Sequence, residues 1–416
     1  MPAGLKHQTR KVCDCLYLEK GVNSKVEIRK TTTVSVLSEE LRRKVTDFKL
    51  RLAMQHAGYP DPAVGYPPMP NEWGVFPQAQ VVRSTAFYGN EAFSDNHHQS
   101  VTRFKGRHVV AWSTGLKHED HPGQEIHYAI ASHGLDWEKE QVLVHTDPDS
   151  RLVRHNHGLC ATETHLYALV GVCDTRGNTQ LGMCSMDAQN LWIDVYETED
   201  LRSWKHYERI APRVYAFEEP RLTRSGRLLC FGVAVDDWRQ GLVLRWEKGA
   251  KPVEAPRAIE IPKASGLEPL QGSWYQLENG RIVLFLRDGS FSCRLALTWS
   301  DDDGDSWSLP QMTDFPNTTS RVYAGRLDDG RYYLAGNNYD RLLDRRHLLL
   351  AVSDNGESFD RMHTIVSGAT TRRIEGKHKE DGYHYPNCCV SDGKLFVTYS
   401  VNKENIEVAQ VDTTGL

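Results

Sequence analysis

Ser300-Asp301-Asp302-Asp303-Gly304-Asp305-Ser306-Trp307 fits the pattern S-x-D-x-G-x-x-W, the Asp box. The pattern encodes a tight β-turn. The Ser and Asp side chains bond to nearby backbone amides, and Gly takes the positive φ. Trp tucks the turn into the apolar layer between neighbouring sheets. Weaker copies recur at Val352–Phe359, Ala131–Trp137 and Asp200–Trp204. A turn repeated in this way belongs to a radial array of small antiparallel sheets, so the expected fold is all-β, a β-propeller. The box residues hold turns and carry no catalysis.

Outward from that box one unit repeats. Turns of Gly with a basic residue stand at Lys105-Gly106-Arg107, Ser225-Gly226-Arg227, Asn279-Gly280-Arg281, Asp329-Gly330-Arg331 and Asp392-Gly393-Lys394. Each precedes an apolar run (His108–Trp112, Leu228–Val233, Ile282–Leu286, Tyr332–Ala335, Leu395–Tyr399), which reads as a hairpin. A further copy, His165–Val170, follows a Glu163-Thr164 turn without Gly. Polar clusters open the units near Asn96, His155, Phe217, Glu268, Ser320 and Tyr383, roughly 50 to 65 residues apart, the size of a four-stranded blade. Six units are visible. From Tyr383, the start of the sixth unit, through the C-terminus and on through the N-terminal segment is about two such spacings, if the terminal strands close one blade together. That arithmetic favours seven blades and allows six.

The whole chain, residues 1–416, therefore reads as one propeller domain. Its start is less regular. Lys25–Leu37 has strand character, Ser38 caps an expected helix through Leu52, and Pro60–Pro70 is a proline-rich loop. An irregular, partly helical segment is thus expected over about 38–75.

The net charge of −5 argues against a nucleic-acid partner, which calls for a basic face. No apolar run approaches a membrane span. Met1–Arg10 lacks the apolar core of a signal peptide, and nine Cys at irregular spacing suit a reducing compartment, so a cytoplasmic location is the expectation.

In a propeller the first strand of each blade lines the axis, and its start faces one mouth. The clusters there are Asp95–His98, Arg154–His157, Phe217–Pro220, Glu268–Trp274, Asn317–Arg321 and Tyr383–Asn387. Convergent polar groups in a concavity mark a site. The mix suits a sugar: Trp274, Tyr383 and Tyr385 can stack on a ring, and Asn96, Asn156 and Gln271 can serve hydroxyls. Arg154, Arg287 and Arg321 suit a carboxylate, which the guanidinium fork grips bidentately. Glu219 and His384 stand on the same face. Strand alternation lets one of His97 and His98 face the axis, and His98 and His157 are preferred as proton-transfer groups. His118 and His121 lie in a loop, Leu116–Glu125, that can fold over the mouth. The reaction calls for no cofactor, although clustered His can also hold a structural metal ion.

The box and the repeat units Ser273–Asp288, Ser320–Asn337 and Tyr383–Val408 resemble the sialidase-like propeller superfamily of carbohydrate-active enzymes. The resemblance implies the fold and a sugar substrate. Sialidases carry an F/Y-R-I-P motif that supplies one arginine of a triad, and Val82-Arg83-Ser84 lacks the Ile-Pro. A Tyr/Glu nucleophile pair is matched only by candidates such as Tyr385 with Glu219. Asn96–Gln99, Trp112-Ser113 and Glu119–Gln124 look closer to the seven-bladed lyases and rhamnosidases that act at rhamnose–glucuronate linkages, such as the ulvan lyases. That likeness implies a catalytic set of His98, His118, Tyr167 and Arg176. The expected reaction is then β-elimination beside a uronic acid on an oligosaccharide. A sialidase-like or rhamnosidase-type hydrolase, or a non-catalytic sugar-binding propeller, is the alternative.

Overall fold

The computed structural model describes residues 76–175, 190–235, 237, 239–376 and 378–416. The expected strand at 25–37, the helix after Ser38, the proline loop and Arg176 all lie outside these residues. Among the described residues the chain forms six antiparallel sheets around one axis. Blade 1 holds β2 (Asp95–Phe104), β3 (Arg107–Gly115), β4 (Glu125–Ala131) and β5 (Gln141–Val144). Blade 2 holds β6 (Leu152–Ala161), β7 (Leu166–Asp174), β8 (Leu191–Thr198) and β9 (Lys205–Pro212). Blade 3 runs from β10 (Val214–Ala216) and β11 (Arg221–Leu222) through β12 (Leu228–Ala234) and β13 (Gly241–Arg245) to β14 (Arg257–Glu260). Blade 4 is β15 (Pro269–Gln276) to β18 (Gln311–Pro316), and blade 5 is β19 (Val322–Arg326) to β22 (Arg361–Ser367).

Blade 6 takes β23 (Tyr383–Ser391), β24 (Lys394–Val401) and β25 (Asn405–Asp412) from the C-terminal end. Its outer strand is β1 (Val81–Phe87), with Val81 opposite Val411. The terminal strands close the ring in one blade, as expected. The count is six rather than the favoured seven: the stretch after Tyr383 and the described N-terminal strand share a single blade. Ahead of β1, Gln78 Nε2 donates to Thr364 O at 2.8 Å, tying the entering chain to blade 5 as well.

The predicted hairpins join the first and second strands of their blades. Lys105 and Gly106 take φ of 47° and 81°, the left-handed pair that matches strand twist in a two-residue turn. The Asp box links the third and fourth strands of blade 4. Gly304 N donates to Ser300 Oγ at 2.9 Å and Ser306 N to Asp302 Oδ1 at 2.8 Å, while Trp307 is buried. The weaker copies occupy the same corner of blades 1, 2 and 5. Apolar clusters fill the gaps between neighbouring blades, and these layers are the core. Burying one large side chain there contributes about 1.5–3 kcal/mol.

Candidate active site on the propeller axis

Four first strands break register: β15 between Pro269 and Gly272, and the three that carry the axial histidines and Tyr385. β2 slips between His97 and Ser100, β6 between Asn156 and Gly158, and β23 between His384 and Asn387. A bulge adds a residue to one strand and re-aims its side chains. His98 and Tyr385 sit in these bulges at φ of 52° and 53°. Alternation therefore fails at the point where one of His97 and His98 was expected to turn away. Both rings meet at the axis, with centroids 3.9 Å apart. His98 lies 5.8 Å from Tyr385 and 5.7 Å from His155, and His157 packs 4.6 Å from Tyr215.

Loops between second and third strands supply the charges. His97 stands between two carboxylates, Nδ1 at 2.8 Å from Asp95 and Nε2 at 3.1 Å from Glu119. Burial favours its neutral ring, but Glu119 and Asp95 overcome this and push the imidazole up to about 10. Burial alone would raise Glu119. Lys403, 2.5 Å away, together with His97, holds it well below the usual carboxylate range. Asp120 meets burial and the Glu119 charge, which push it up to about 8, so it is a protonated acid at neutral pH. Its Oδ1 lies 3.4 Å from His155 Nδ1. Burial, then the charge of His97, lowers His98 well below its ordinary value, so that ring is neutral. His98 and Asp120 remain partly exposed.

Cations border Tyr385. The Arg345 guanidinium lies 5.5 Å from its ring centroid and Lys403 Nζ 5.3 Å. Arg287 hydrogen-bonds the same tyrosine and takes Gln271 Oε1 at 2.9 Å. Arg321, buried, lies deeper, between the histidines and a polar floor. In that floor Arg221 pairs with Glu218 at 2.6 Å, Asn387 Nδ2 donates to Glu219 at 2.8 Å, and Tyr323 donates to Glu219. Burial, with Glu219 close by, pushes Glu218 up to about 7 although Arg221 opposes the shift.

The structure thus brings together His98, His157, Arg287, Arg321, His384 and Tyr385 of the predicted residues, with Glu219 beneath them. Tyr323, not Tyr385, is the tyrosine on Glu219. His384 Nε2 is bound to Glu380 O at 2.8 Å. Several expectations are corrected. Tyr167 is buried in the apolar layer between blades 2 and 3, on a second strand. Trp274 is core between blades 3 and 4 and offers no stacking face at the mouth. Asn96 spends its amide on Phe93 O and Glu404 O, at 3.0 and 2.8 Å. Asn156 likewise donates to backbone, not to a free face. Arg154 turns outward to Thr146 Oγ1 at 2.5 Å. The His118 ring packs at a tilt against His121, centroids 4.9 Å apart, and it is their loop neighbours Glu119 and Asp120 that reach the axis.

The sequence reading missed Asp120, Glu119, Arg345 and Lys403. A second strand ends beside the start of the first, so the loop that follows it opens on the same mouth. That rule was a usable signal. His97, His98 and Glu119 each present one ligand atom, all within 4.8 Å of one another. They fit a metal ion poorly. His97 is clamped by two carboxylates, and Lys403 already neutralises Glu119.

The BNR repeat-like domain family matches residues 106–397. A solved sialidase superimposes with a TM-score of 0.61 at 15% identity, covering 85% of this chain and 35% of that protein. A protein of unknown function from Dyadobacter fermentans gives 0.61 at 15% identity, over 80% of this chain and 99% of that one. Trypanosoma rangeli sialidase gives 0.60 at 11% identity, over 81% and 60%. At such identities the likeness shows the fold, and the chain spans about a third of the first sialidase. No curated protein matches the sequence.

Proposed function

The chain belongs to the BNR repeat-like domain family, and from that premise we propose that it is a glycoside hydrolase cleaving the bond beside an acidic sugar at the axial mouth. Tyr385 carries the reading: a strained, nearly buried phenol with Arg287, Arg345 and Lys403 around it and a neutral His98 beside it. A phenol with a neutral imidazole beside it has a base at hand for its proton, the arrangement of an activated nucleophile. Arg287, Arg321 and Arg345 receive the sugar carboxylate.

In the first step the Tyr385 oxygen attacks the anomeric carbon as its proton passes to His98. Asp120 gives its proton to the departing glycosidic oxygen. In the second step water attacks the glycosyl–tyrosine bond. Asp120 takes the proton of that water, and His98 returns its own to the phenolate. The same groups also suit β-elimination at a uronate, with His98 as base, and the product separates the two reactions.

The test is incubation with oligosaccharides ending in sialic acid or in rhamnose–glucuronate, reading reducing ends and ultraviolet absorbance together. New reducing ends without absorbance, lost in Tyr385→Phe, are expected. Absorbance that disappears in His98→Ala would move the reading to elimination. Binding with silence in both channels would leave a sugar-binding propeller.

A further inference from the structure

We propose that Gln99 and Asn156 are positioning residues whose amides hold the left-handed backbone of Tyr385 and His98, and so aim the two side chains at one another. The proposal rests on the function argued above. A non-glycine residue at positive φ persists only where its surroundings over-determine it. Both residues are in that state, at φ of 52° for His98 and 53° for Tyr385. In each case an amide from elsewhere in the axis holds the carbonyl. Asn156 Nδ2 donates to His98 O at 2.7 Å, with Ser100 Oγ at 2.9 Å and Ala111 O at 3.1 Å. Gln99 Nε2 donates to His384 O at 2.9 Å and to Tyr385 O.

The three bulges form one chain. Asn156, at the edge of the blade 2 bulge, reaches the bulge of blade 1. Gln99, inside the blade 1 bulge, reaches that of blade 6. Both amides are buried, so their bonds meet no competition from water. His98 and Tyr385 come from blades that meet through the ring closure, and Gln99 is the side chain that ties the one bulge to the other.

Gln99→Met keeps the length and removes the donor. The expected result is a loss of tenfold or more in kcat with KM within threefold of wild type. In protein carrying 13C at the tyrosine ring carbons, the Tyr385 signal, identified by its loss in Tyr385→Phe, is expected to move while those of Tyr167 and Tyr275 stay. An unmoved Tyr385 signal with kcat within twofold overturns the proposal. If no sugar is cleaved by either protein, the functional reading falls, and the ring signal alone still decides the positioning role. Should Gln99→Met not fold, Asn156→Asp keeps its size and loses the donor. It is expected to shift the His98 ring signals, and unchanged signals overturn the proposal.

Discussion

Lys403 Nζ stands 2.5 Å from Glu119 Oε2 inside the axis, and both residues are buried. The other Glu119 oxygen faces His97 Nε2 at 3.1 Å, so one carboxylate links blade 6 to the blade 1 histidine. Removing one partner of a buried pair leaves a desolvated charge and costs about 3–5 kcal/mol. Lys403→Met is therefore expected to lower unfolding stability by about that amount in urea denaturation. Adding Glu119→Gln should restore much of it. A loss in the double variant equal to the sum of the two single losses would mean that the pair is not coupled.

Asp120 sets a pH limit. Its folded value of about 8 lies above the unfolded range, so the native state holds an extra proton between about 4 and about 8. The stabilisation is full below that window and is lost as pH rises through it. Asp120→Asn escapes this loss, so its stability relative to wild type should grow from pH 4 to pH 9, read by thermal melts. The cleavage rate of wild type should fall above pH about 8, where the acid has lost its proton.

His98→Gln removes the proton acceptor and preserves ring-like bulk at the bulge. A positioned acid–base group is worth about 10²–10⁴ in rate, so kcat should drop by that factor with KM little changed. Steady-state kinetics at saturating oligosaccharide decide this. A variant with wild-type kcat would remove His98 from the chemistry.

Tyr167 and Trp274 should behave as core. Tyr167→Phe breaks a hydrogen bond to Glu197 and should cost about 1 kcal/mol with kcat unchanged. Trp274→Ala opens the layer between blades 3 and 4 and should cost about 3–5 kcal/mol, with KM unchanged well below the melting temperature. A raised KM in Trp274→Ala would return that ring to the sugar.

The sequence by itself determined the blades. The Ser300–Trp307 box, the Gly-basic hairpins and the apolar runs are local devices, each closed by bonds between residues a few positions apart, so their spacing reads directly from the chain. It also placed His98, Tyr385, Arg287 and Arg321 at the mouth, because each lies at a blade start or end. Only the tertiary structure decided which polar residues face one another. Bulges in β2, β6 and β23 override strand alternation, and so His97 joins His98. Asp120, Arg345 and Lys403 come from loops brought together by ring closure, across up to 283 positions between Asp120 and Lys403. Ring closure also set the number of blades at six, since β1 completes the sheet of β25 instead of starting its own. Such pairings depend on backbone twist and packing summed around the ring, which no short stretch of sequence encodes.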